Sequence, residues 1–159
     1  MTSVLRVRRL LPLALLAAVT TATQAPAQSF QKNTSQIPGG SSNNSYSEAV
    51  DFADVDLDGD FDCVFADGGD CCNDQNRIWI NLGGAQGGTI GFFADETSTR
   101  LPAIADDSRD MDFVDVDADG DQDIYTSNTS QISNQPNRFC VNMGGAQGGT
   151  AGFFTDQTS

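Results

Sequence analysis

Shifted by 61 residues, the chain overlays on itself: residues 49–98 align with 110–159 without a gap, and 26 of the 50 positions are identical. DFADVDLDGDFD (51–62) matches DFVDVDADGDQD (112–123), and NRIWINLGGAQGGTIGFFADETS (76–98) matches NRFCVNMGGAQGGTAGFFTDQTS (137–159). A repeat of this kind means that one supersecondary unit is built twice and that neighbouring units cover each other's apolar faces. FQKNTS (30–35) is a weaker third copy of FADETS (93–98) and FTDQTS (154–159), so a unit boundary also falls near the start of the chain.

Each unit reads as short strands and turns. Residues 49–52 form a β-favouring run, as do 61–66 and, in the second unit, 123–126. Arg77-Ile78-Trp79-Ile80-Asn81 alternates with period two, and so does Arg138-Phe139-Cys140-Val141-Asn142. GGAQGG (83–88 and 144–149) lacks the Lys-Ser/Thr of a phosphate-binding loop and opens no helix, so it is predicted to be a glycine-rich hairpin. No segment has helical periodicity. The chain is predicted to be all-β, with about four short strands per unit, the signature of a β-propeller blade.

The most concentrated chemistry lies in DVDLDGDFD (54–62), which has five aspartates in nine residues, and in its copy at 115–123. Counted from Asp54, aspartates stand at positions 1, 3, 5, 7 and 9 (Asp54, Asp56, Asp58, Asp60, Asp62), with Gly59 at position 6. The second copy supplies Asp115, Asp117, Asp119, Asp121 and Asp123, with Gly120 at the turn. Alternating carboxylates on a tightly curled loop converge on one centre, and glycine permits the sharp bend. Many hard oxygen ligands in a flexible cage suit Ca²⁺ better than Mg²⁺, and a site without Cys or His suits neither zinc nor copper. Position 7 normally offers its carbonyl, so Asp60 and Asp121 need not contribute side chains. Position 12 of an EF-hand is a bidentate glutamate; here it is Phe65 and Thr126. The cage is therefore expected to be closed by position 9 and water, within a strand–loop–strand frame.

Taken together, DxDxDGDxD after a hydrophobic-Asp-Phe strand, an N-R-φ-x-φ-N strand, a glycine turn and F-x-D-x-T-S resemble the FG-GAP/VCBS repeat. That repeat builds integrin-α-type β-propellers and many secreted bacterial proteins. The resemblance covers residues 30–159. It implies blades of four antiparallel strands, two of them here, with one Ca²⁺ in a loop of each blade held by positions 1, 3, 5, 7 and 9. The chain departs from the pattern in holding two units where a propeller needs more, and in GGDCC (68–72), which the second unit lacks. The expected layout is a signal peptide at 1–27, a mature N-terminus with a partial repeat boundary at 28–48, and repeats at 49–98 and 99–159. Two blades leave open strand edges, so the remaining blades are expected from a longer reading frame or, as the alternative, from further copies in a ring.

Residues 1–27 have a basic start (Arg6, Arg8, Arg9), an apolar run at 10–19 too short to span a bilayer, and Ala25-Pro26-Ala27 as a cleavage pattern. This predicts export, to the outside of the cell or the periplasm, with no membrane span after cleavage. Cleavage removes three of the eight basic residues and none of the 22 acidic ones, leaving five against 22, a formal −17. Such a surface repels nucleic acid and anionic membrane and attracts cations. In an exported protein the four cysteines Cys63, Cys71, Cys72 and Cys140 point to disulfides. Of the three possible pairings, a bridge from Cys63 to Cys71 or Cys72 is favoured because it closes a short local loop.

Arg77 and Arg138 are expected to form structural ion pairs with loop or turn carboxylates. The chain has no histidine, no Gly-x-Ser-x-Gly elbow and no cysteine beside a basic partner. Asp106 and Asp107 form an acidic pair in a loop, too little for a hydrolase, so no enzymatic activity is expected. Two readings remain open. One is binding of an extracellular protein or glycan, with the GGDCCND loop (68–74) as the contact. The other is a scaffold that supports a domain encoded elsewhere.

Overall fold

Each repeat folds into a four-stranded antiparallel sheet whose main strands follow one another along the chain. The computed structural model describes residues 33–39, 45–69, 71–129 and 134–159. The expected signal peptide and the first residues of the 30–35 boundary element lie outside them. The first sheet has the order β1 (Ser47–Ala53), β2 (Asp62–Asp67), β4 (Arg77–Asn81), β5 (Phe93–Asp95). The second has the order β7 (Ser108–Val114), β8 (Asp123–Asn128), β9 (Arg138–Asn142), β10 (Phe154–Asp156). A two-stranded ladder, β3 (Asp74–Gln75) with β6 (Ala105–Asp106), ties the link before β4 to the link before β7. Among the described residues no helix is long and apolar enough to cross a membrane.

The register of the two sheets is the same after a shift of 61. Val50 faces Phe65, Phe52 faces Cys63 and Ala53 faces Asp62; Met111 faces Thr126, Phe113 faces Ile124 and Val114 faces Asp123. Even the register break between Ser47 and Ala49 recurs between Ser108 and Asp110. Period-two alternation places Val64, Ala66, Ile78 and Ile80 on one face of the first sheet. They meet Met111, Ile124 and Phe154 of the second in a single core with Ala53 and Val55. The repeated Asp-x-Thr motif closes the free end of each unit. Thr97 Oγ1 accepts the Ile78 amide at 3.1 Å and Thr158 Oγ1 the Phe139 amide at 2.9 Å, while Asp95 and Asp156 accept the amides of those threonines.

Several sequence expectations change. The arginines at the heads of β4 and β9 do form ion pairs, but with strand carboxylates: Arg77 bonds Asp67 at 2.6 Å and Arg138 bonds Asp106 at 2.6 Å. Asp106 is thus no loose loop residue. Asp107 is fully buried and accepts the Thr129 hydroxyl. An α-helical turn, α1 (Thr97–Arg100), occurs where none was expected, and each GGAQGG hairpin contains a 3-10 turn (Gly84–Gln86 and Gly145–Gln147); three or four residues are too few to leave a periodic trace in the sequence. The disulfide joins the neighbours Cys71 and Cys72, leaving Cys63 and Cys140 as free thiols, so the expected bridge from Cys63 is not made. Cys63 sits at the start of β2 and the cysteine loop leaves from its far end. Four residues of extended chain separate these points by about 13 Å, well beyond disulfide reach. Burial pushes both free thiols up to about 12, which makes them unreactive.

Ile78 is fully buried at the centre of the core, and Phe61 stands largely in solvent. Ile78→Ala is expected to cost about 2–5 kcal/mol by loss of packing and a residual cavity, and Phe61→Ala less than about 0.5 kcal/mol. Urea unfolding of the two variants beside the parent chain measures both.

Candidate metal centre

The acidic loops connect β1 to β2 and β7 to β8, and they curl in the same way. Asp54 accepts the amides of Asp58 at 2.9 Å and Gly59 at 3.0 Å; Asp115 accepts those of Asp119 at 3.0 Å and Gly120 at 3.1 Å. The bend needs positive φ twice in each loop: Leu57 at 60° and Gly59 at 100°, then Ala118 at 59° and Gly120 at 101°. A left-handed non-glycine residue costs of order 1–3 kcal/mol and persists only where its surroundings enforce it. Nothing in the composition of position 4, leucine in one copy and alanine in the other, signals this.

Position 9 anchors each loop to its sheet. Asp62 is fully buried and accepts the amides of Val55 at 3.2 Å and Asn81 at 2.8 Å. Asp123, equally buried, accepts those of Val116 at 3.1 Å and Asn142 at 2.8 Å. The repeated asparagine that ends β4 and β9 extends this anchor. Asn81 donates to the Phe61 carbonyl and accepts from the Gly91 amide; Asn142 donates to the Gln122 carbonyl and accepts from the Gly152 amide. Asn142 also reaches across to the Val55 carbonyl at 2.9 Å, joining the first loop to the second sheet.

The glycine hairpin is part of the site, which the sequence reading treated as a turn alone. Its backbone folds over the acidic loop so that the Ala85 amide donates to Asp58 Oδ2 at 3.0 Å and the Ala146 amide to Asp119 Oδ2 at 2.7 Å. The Gln86 side chain donates to Asp56 Oδ2 at 2.7 Å, and Gln147 does the same for Asp117. Gly83 and Gly84 must be glycine because of this approach: a Cβ would run into Asp60 Oδ2 at the first and Asp58 Oδ2 at the second. Gly144 and Gly145 meet Asp121 and Asp119 in the same way. The repetition of GGAQGG opposite a repeated acidic loop was the available signal.

Of the ten aspartates expected as ligands, oxygens of Asp54, Asp56 and Asp58 lie within 4.8 Å of one another, as do those of Asp115, Asp117 and Asp123. Either group could hold a metal ion. Asp62 and Asp119 lie outside these tight groups, and Asp60 and Asp121 turn toward the hairpin glycines. Phe65 and Thr126, at position 12, face away as strand residues of β2 and β8.

The electrostatics suit a cation. Asp56 Oδ1 and both carboxylate oxygens of Asp60 and Asp121 are buried without a hydrogen-bond partner among the described residues, the condition a bound cation relieves. Burial, and then the charge of Asp58, raises the pKa of Asp56 and Asp60. Burial pushes Asp62 up to about 7 and, with Asp119 beside it, Asp121 up to about 6. Asp119 moves the other way because the amides of Ala146 and Asp121 favour its charged form. Among the described residues, only the first loop meets a cationic side chain. Arg100, at the end of α1, bonds Asp56 at 3.3 Å and Glu96 at 2.6 Å, donates to the Gly152 carbonyl and lies over the Phe153 ring at 4.9 Å. Spacing gave no hint of it, since its place in the second copy falls past residue 159 and in the preceding phase is Gly39.

No family model, curated protein or solved structure matches the chain. The site is therefore interpreted from its own geometry and from its duplication.

The four raised carboxylates set the pH response of the metal-free chain. In the unfolded chain they ionise near 3.8; in the folded chain Asp62 and Asp121 hold their protons to about 7 and about 6. Between those limits the folded state binds more protons, so stability falls as pH rises. Asp119 opposes this alone. In chelator, the unfolding midpoint is expected to drop steadily from about pH 4.5 to pH 7.5, which a series of thermal melts reads directly.

Proposed function

We propose that the chain is an exported calcium-binding repeat protein of β-propeller type. In this reading one Ca²⁺ staples the acidic loop of each four-stranded unit, and the protein acts by binding an extracellular protein or glycan. The observation that carries the calcium reading is the set of buried, unpartnered carboxylate oxygens on Asp56, Asp60 and Asp121, in loops that are curled the same way twice. Oxygen-only donors at positions 1, 3, 5 and 9, with position 7 alongside, fit a cation that accepts six to eight ligands. Mg²⁺, which keeps several waters in strict octahedral geometry, fits less well. No helices flank the loops to swing apart on binding, so the ion acts as a staple, and its binding energy becomes folding energy.

The role proposed is recognition and not catalysis. Outside the loops, the acidic pair Asp106 and Asp107 is committed to Arg138, Asn128 and Thr129. The surface offered is the loop that carries the Cys71–Cys72 disulfide, which has no counterpart in the second unit. Gly68 seats it against β6 and β7, and Cys71 and Asn73 stand exposed. A glycan array or an extracellular-protein pull-down with the purified chain separates this from a scaffold role, which predicts no specific ligand.

Saturating Ca²⁺ is expected to raise the thermal midpoint, by the equivalent of about 2.7 kcal/mol for each site once free ion is a hundredfold above its Kd, and chelator to lower it. Titration calorimetry should count two ions per chain. Asp56→Asn should reduce the count to one, as should Asp117→Asn, and the double variant should bind none. A midpoint indifferent to Ca²⁺ and chelator refutes the proposal.

A further inference from the structure

The two sheets of the chain meet through unlike faces. The first sheet contributes the face bearing Val64, Ala66, Ile78 and Ile80, and the second contributes the face bearing Met111, Ile124 and Phe154. Under the shift of 61, Val64 corresponds to Tyr125 and Met111 to Val50. The face buried on one sheet is therefore the face left open on the other. Exposure follows this rule at three pairs of equivalent positions, whereas Cys63 and Trp79 on the outward face of the first sheet and Val141 on that of the second are buried. Met111 is 4% exposed and its equivalent Val50 48%; Val64 is 0% and its equivalent Tyr125 38%; Ala53 is 7% and its equivalent Val114 40%.

The open face of the first sheet carries an apolar patch crossed by Arg77, whose guanidinium lies over the Phe65 and Trp79 rings. Val50 and Phe52 stand exposed on β1, opposite Phe65 and Cys63, with Trp79 beyond them on β4. The open face of the second sheet carries Val114, Tyr125 and Phe139, with Asp110 and Asp112 on the same side of β7. These are the two halves of the contact already made once inside the chain, each without a covering sheet among the described residues.

We propose that the open face of the first sheet is a docking surface for the open face of the second sheet of another copy of this chain, so that copies add head to tail. The occupant follows from continuity with the internal seam: the same strand positions in the same register, continued by one more unit. Contact between unlike faces does not close as a two-fold dimer. It generates a ring where the rotation between units closes and an open array where it does not. The inference stands on strand register and exposure alone, and does not depend on what the acidic loops hold.

The test uses the full chain and two variants, each blocking one face. Phe52→Asp puts a charge on the open face of the first sheet, and Tyr125→Asp puts one on the open face of the second. In sedimentation velocity the parent chain is expected to associate increasingly with concentration. Each variant alone should sediment as a monomer, and an equimolar mixture should form heterodimers and stop there, because each heterodimer presents only blocked faces outward. Val50→Asp and Val114→Asp repeat the pair, and circular dichroism confirms that each variant used is folded. A parent chain that is monomeric at every concentration overturns the proposal. So does a Tyr125→Asp variant that still self-associates, which would mark a like-face dimer, or a mixture that remains monomeric.

Discussion

Everything around the acidic loops hangs on the buried carboxylate that opens the second strand of each sheet. Burying a charged group is costly unless its oxygens are hydrogen-bonded. Asp62 and Asp123 meet that condition with two backbone amides each, one from the chain leaving the first strand and one from the end of the third. That cross-tie fixes where the loop starts, how it returns and where the following asparagine must point. With Asn81 and Asn142 so placed, the glycine hairpins are held by the amides of Gly91 and Gly152 and lie against the carboxylates of positions 3 and 5. The loop, the strand end and the hairpin are therefore one hydrogen-bonded object, formed twice.

The arrangement also explains how so much like charge is tolerated. Backbone amides from inside the loop take the oxygens of position 1, and hairpin donors take one oxygen each from positions 3 and 5. What the protein's own donors leave unmet is confined to a few oxygens, one on Asp56 and both on Asp60 and Asp121. Repulsion is thus channelled into a small volume, where a single divalent ion counters it most effectively.

Much of this was legible in the sequence, for specific reasons. Strand positions were readable because period-two alternation and the 61-residue repeat reinforced each other, so that 77–81 and 138–142 marked β4 and β9 to the residue. The convergence of positions 1 and 3 in both loops followed from spacing and the turn glycine, but spacing did not show that position 5 joins them in the first loop and position 9 in the second. Other features were hidden because they depend on which surfaces meet. The pattern showed which residues share a face but not that unlike faces pack together. The left-handed turn at Leu57 and Ala118 depends on the cross-tie and not on the residue type. The cysteine pairing was misjudged by counting residues along the chain, when the length of β2 sets the distance.

Arg100 makes the two loops chemically unlike despite their matching sequences. Its guanidinium lies against Asp56 and holds the Gly152 carbonyl of the second repeat, whereas Asp117 is met by the Gln147 amide and by no cation among the described residues. The first loop is one charge less negative than its twin, and its carboxylates share a side chain with the neighbouring sheet. A cation held by the first loop would compete with Arg100 for Asp56, whereas Asp117 faces no such competitor among the described residues.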